Sequence, residues 1–150
     1  MRAKIITSIV GLVPLFSSGT ASTAVPQPQT PAGHLARAAG ALIGANEYLI
    51  EFAMTECAYV LKRKATPTKL LIEKEILPRF TADARQVAAA TFTGMQSDLL
   101  AQRKHYVNLM ISGAVDEYKG DRKTACGYVG GTLVGLFLGA TDKWEAASAQ

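Results

Sequence analysis

Glu47 and Glu51 stand one helical turn apart, a spacing at which two carboxylates share a face and can move a proton or hold a cation. The same spacing is ordinary on a solvated helix face, and that is the reading adopted here. Histidine occurs only at His34 and His105, which fall in different predicted helices. Neither has a second His at helical spacing, so the pattern offers no metal-ligand set. His105 lies in Arg103-Lys104-His105 and reads as solvated surface, as do Asp116-Glu117 and Asp121 near a predicted loop. No serine has an evident base partner. The chain has no Gly-x-Ser-x-Gly elbow, no Gly-rich phosphate loop after a strand, and no Cys-x-x-Cys-His haem attachment. The expectation is a protein with no catalytic site, no cofactor and no metal, and so not an enzyme.

The residues that remain chemically distinctive are Cys57 and Cys126, the only two cysteines. They exclude a disulfide-dense scaffold and a four-Cys zinc site, and they form no Cys-x-x-Cys redox motif. A disulfide between them is the first reading; free thiols or an intermolecular bridge are the alternatives. A bridge closing so long a loop contributes about 4 kcal/mol in the chain-entropy account. It suits an oxidising compartment, and the N-terminus carries an address for one. Arg2 and Lys4 precede the apolar run Ile5–Phe16, and the small residues Ala21-Ser22-Thr23-Ala24 follow. That order reads as a secretory signal covering residues 1–24, cleaved after Ala24 or, second, after Ala21. The run is short for a membrane anchor, which is the alternative.

Composition agrees with a single folded domain. The chain has 150 residues, 49% of them hydrophobic and only 7% aromatic, so it can bury enough surface to offset ordering entropy. Losing residues 1–24 removes Arg2 and Lys4, which leaves 14 of the 16 basic residues against 12 acidic ones and a formal charge of +2 rather than +4. Nucleic-acid binding thereby loses its compositional support.

Residues 25–31 read Val-Pro-Gln-Pro-Gln-Thr-Pro, an extended Pro-rich linker. Residues 32–150 then show helical composition and no strand-like alternation. Ala39, Ile43, Asn46, Ile50, Ala53, Cys57 and Leu61 form one stripe, which predicts a first helix from Ala32 to Lys64, closed by the cations Lys62, Arg63 and Lys64. Thr66-Pro67 predicts a second start, with Leu70, Leu71, Ile76 and Leu77 ahead of a kink or break at Pro78. A new start near Thr81 leads to Val87, Phe92, Met95, Leu99, Tyr106, Met110 and Val115, on one long helix or two segments joined at Gly94. Lys119-Gly120-Asp121 is the predicted stop, and a last helix spans Arg122 to Ala147. The expected fold is all-α: an antiparallel bundle of four or five helices with one disulfide.

The last helix carries Gly127, Gly131, Gly135 and Gly139 at a strict four-residue spacing. Each costs about 1 kcal/mol relative to Ala inside a helix, which calls for a compensating close contact. At about 100° per residue, Cys126, Leu133, Phe137, Ala140 and Trp144 share one face. If the disulfide turns that face toward the first helix, the glycines lie on the opposite side. They then meet another helix of the chain, a partner or second copy, or lipid. Ala36, Gly40 and Gly44 form a shorter small-residue ridge that could answer the first of these. Ala125–Ala140 is apolar apart from Thr132 but slightly short for a membrane span.

The segment Cys126-Gly127-Tyr128-Val129-Gly130-Gly131 resembles the Cys, Gly-Tyr-Ile and Gly segment of small periplasmic immunity proteins. Here Cys directly precedes Gly-Tyr, a departure of one residue, and the likeness covers this segment alone. The resemblance implies a helical, disulfide-bonded protein that neutralises a cell-wall amidase toxin. The expected function is therefore binding in the cell envelope through protein–protein contacts: an inhibitor, immunity protein, chaperone or assembly factor, with a homodimer as one form. Tyr48, Tyr59, Tyr118 and Tyr128 are the candidate partner-facing residues, or else residues at the core boundary. The alternative is a membrane-associated helical protein using residues 125–140.

Overall fold

The Thr30 hydroxyl accepts a hydrogen bond from the Gly33 amide at 3.2 Å, with Pro31 at the first helical position. Together they start α1 (Pro31–Phe52). The computed structural model describes residues 30–150. The signal-like segment 1–24 and residues 25–29 of the Pro-rich stretch lie outside the described residues. Pro31, assigned to the linker from sequence, is helical.

The first helix ends twelve residues short of the predicted Lys64, at Phe52. Thr55 closes it: its hydroxyl donates to the Phe52 carbonyl at 2.7 Å and accepts from the Cys57 amide at 3.2 Å. A side chain that satisfies the last carbonyls turns the backbone away before the apolar stripe runs out. A single 3-10 turn, Ala58–Val60, follows. Lys62, Arg63 and Lys64 are therefore not at a helix C-terminus.

The return segment is helical but irregular. α2 (Thr68–Leu71) passes into a π turn at Ile72–Ile76 and a 3-10 turn at Leu77–Arg79 that contains Pro78. The run breaks at the extended Phe80, as the proline predicts. The helix begins one residue later than Thr66-Pro67 suggested: Pro67 is the cap, and the Thr66 carbonyl instead accepts from Asn46 Nδ2 at 2.7 Å.

α3 (Ala82–Glu117) begins after Thr81 and runs unbroken through Gly94. Its buried residues are Ala88, Phe92, Val107, Ile111 and Ala114, whereas Val87, placed in the apolar set from sequence, is 69% exposed. Met95, Leu99, Tyr106, Met110 and Val115 are half-buried along its seam. Gly120, at φ 87°, donates to the Val115 carbonyl at 2.8 Å and stops the helix where the sequence placed the stop. Asp121 then caps α4 (Arg122–Ser148), accepting from the Thr124 amide at 3.2 Å.

The Cys57–Cys126 disulfide, with Cα atoms 5.2 Å apart, joins the turn that follows α1 to the start of α4. At the far end His34 and Arg37 lie beside Lys143 and Ala146, so the two helices are antiparallel. α3 runs in the same direction as α1, because Met95 packs by Gly40 and Arg103 reaches Glu51. One core cluster gathers Leu42, Ile43, Ile76, Phe92 and Trp144; the other gathers Phe52, Val107, Val129 and Leu133 around the disulfide. The described residues form an all-α bundle of four helices with one disulfide.

Candidate functional site

The large-residue face of α4 turns inward as its periodicity requires. Cys126, Leu133, Ala140 and Trp144 are buried and Phe137 is half-buried. The tightly packed glycine of α4 is Gly130, which lies outside the four-residue series. A Cβ there would lie 2.7 Å from Val60 Cγ2 and 3.2 Å from the Phe52 ring. Any side chain at that position would force Val60 to shift.

The four ridge glycines have no such neighbour. A Cβ added at Gly127, Gly131, Gly135 or Gly139 would meet nothing within 4 Å among the described residues. Gly40 makes only ordinary contact with the Met95 side chain, and Gly44 has open space. The ridge thus has no intramolecular partner among the described residues. Around it Tyr128 and Leu136 are both 55% exposed, with Thr132 and Leu138 also at the surface. No charged side chain interrupts α4 between Lys123 and Asp142.

This face continues into a groove between α3 and α4. Met95, Leu99, Tyr106, Leu109 and Met110 form one wall, Leu133 and Leu136 the other, and Tyr48 of α1 lines the space between them, about 680 Å³ in volume. Burial, with the neighbouring Tyr106 phenol second, pushes the Tyr48 hydroxyl above its ordinary pKa. Asp98 and Gln102 provide the polar rim. Of the four tyrosines considered from sequence, Tyr59 and Tyr128 are exposed, while Tyr48 and Tyr118 are half-buried; the Tyr118 and Tyr128 rings meet at a tilt of 58°, with centroids 5.8 Å apart.

Glu47 and Glu51 correct the sequence reading. They are not on a solvated face: Glu47 is 1% exposed and Glu51 is buried too. Arg103 of α3 bridges them, donating through Nε to Glu51 Oε2 at 2.9 Å and through Nη1 to Glu47 Oε2, while Gln96 Nε2 donates to Glu47 Oε1 at 3.1 Å. The signal was present in part, since Glu47 follows Ile43 by one turn on the buried stripe. The partner more than fifty residues away was not. With each carboxylate engaged by the guanidinium, the cluster clamps α1 to α3. His34 and His105 are exposed, and no group of three metal-ligating side chains forms among the described residues.

No family model matches the chain, and neither does any curated protein or solved structure.

Proposed function

We propose that this chain is an exported binding protein that acts in the cell envelope, engaging a protein partner through the α4 face and the α3–α4 groove. The observation that carries the reading is the open ridge Gly127–Gly131–Gly135–Gly139 beside exposed Tyr128 and Leu136. An apolar, charge-free helix face with an adjoining groove suits a partner's amphipathic helix laid into it. The methionines and tyrosines at the groove supply adaptable and amphipathic contact area. The segment that resembles immunity proteins begins this face, which favours an inhibitor of an envelope toxin as the specific role. The internal disulfide is compatible with an oxidising compartment.

A second reading rests on α4 itself, which is long and apolar enough to cross a membrane by length and composition, with 39% of its apolar stretch buried in the bundle. A helix half-covered by its own bundle and exposed on one side could lie on a bilayer surface.

The test is site-specific photo-crosslinking from Leu136 in the envelope of producing cells. A discrete protein adduct, lost in Gly131→Leu while the melting temperature holds, supports the binding reading. A crosslink pattern confined to lipid, with the protein retained in carbonate-washed membranes, overturns it in favour of the membrane reading.

A further inference from the structure

On the side of α4 away from the glycine ridge, a cleft of about 630 Å³ opens between the return segment and the C-terminal half of the helix. Its apolar lining is Leu42, Leu71, Phe137 and Trp144, mostly side chains of the buried core. Arg63, Lys74 and Arg79 line the same cleft, together with the carboxylates of Glu75 and Glu145. Among the described residues none of these five charges takes part in an ion pair. The Arg63 guanidinium lies 5.1 Å from the centre of the Phe137 ring, within cation–π range.

We propose that this cleft binds a small amphipathic anion: a flat apolar or aromatic body carrying one carboxylate, sulfonate or phosphate. The volume lies in the range of small-molecule sites, and the wall sets core side chains beside charged and polar groups, as an amphipathic ligand requires. Three cations against two carboxylates select negative charge. A guanidinium over a ring face at the cleft presents its N–H fork to a planar oxyanion. The wall opposite α4 is fixed by Asn46, which donates through Nδ2 to Thr66 O at 2.7 Å and to Thr68 Oγ1 at 3.0 Å. The site therefore exists before any ligand arrives. It is separate from the α3–α4 groove and does not depend on the partner reading.

Trp144, the only tryptophan, lies in the cleft wall and reports on it directly. The probe is 1-anilinonaphthalene-8-sulfonate, titrated against the full disulfide-bonded protein. The expected result is saturable binding with energy transfer from Trp144. Affinity should fall about tenfold in Arg63→Gln/Arg79→Gln, the scale of lost charge-assisted hydrogen bonds. N-phenyl-1-naphthylamine, the neutral counterpart, should bind more weakly than the sulfonate, and Lys104→Gln on α3 should change nothing. Absence of transfer from Trp144 overturns the proposal, as does equal binding of the neutral compound or undiminished affinity in the arginine variant. If the double variant does not fold, Lys74→Gln and the comparison of the two dyes decide the matter alone.

Discussion

Arg103 Nε donates to Glu51 Oε2 at 2.9 Å across the interface between α3 and α1. The same guanidinium engages Glu47, so one cation serves two carboxylates inside the bundle. Arg103→Ala leaves both charges buried and unpaired, and should cost about 3–5 kcal/mol in urea unfolding. Replacing the whole cluster, Glu47→Leu with Glu51→Leu and Arg103→Met, should recover most of that loss, because apolar side chains of similar volume need no desolvation of charge. A loss under about 1 kcal/mol for Arg103→Ala would show that water reaches the carboxylates.

Cys57 and Cys126 are separated by 69 residues, so their bond removes a large share of the unfolded chain's freedom. The Cys57→Ser/Cys126→Ser variant should be less stable by about 4 kcal/mol, read by denaturant midpoint under oxidising conditions. An unchanged midpoint would mean that the bond does not form in the folded protein.

Neighbouring glycines on α4 should respond in opposite directions. Gly130→Val drives a side chain into Val60 and Phe52, and should cost about 1–3 kcal/mol. Gly135→Ala meets open space and should gain roughly 0.5–1 kcal/mol through helix propensity. Thermal melts of the two variants separate a packed glycine from an uncovered one; destabilisation by Gly135→Ala would reveal a contact across the ridge.

Asp121 caps α4, and its hydrogen bonds to the Thr124 side chain and amide hold its carboxyl below the ordinary value of 3.8. A folded-state pKa below the unfolded one stabilises the fold above the ordinary value, and that contribution disappears as pH falls through the folded value. Asp121→Ala should therefore lower the melting temperature at neutral pH, with the difference from the parent protein shrinking under strongly acidic conditions. A difference independent of pH would assign the effect to something other than the ionised cap.

Much of the bundle is written locally. The inward face of α4 follows from helical period, the break after Pro78 from proline geometry, and the stop at Gly120 from left-handed backbone. What escaped the sequence depends on distant partners. The end of α1 at Phe52 is set by a threonine that folds the chain back, although the apolar spacing continues past it. Val87 groups from sequence with the α3 apolar set yet faces solvent, because the buried seam at that end of α3 runs through Ala84, Ala88 and Phe92, and Val87 points away from it. The burial of Glu47 and Glu51 needs an arginine from another helix, which no window of local sequence contains. Spacing leaves open whether the glycine ridge meets another helix of the chain, a partner or second copy, or lipid, since it shows which residues share a face and not what that face meets.

The bond between Cys57 and Cys126 also rewires the route from one side of the fold to the other. Phe52 and Gly130 are distant along the backbone but close along the covalent path through sulfur. For the oxidised chain the α1–α4 crossing is a local contact, and α3 lies on a ring thrown out from it. Loop closure, the slow part of pairing remote segments, is already complete in the unfolded oxidised chain. Oxidation thus turns the longest-range encounter in this fold into a short search.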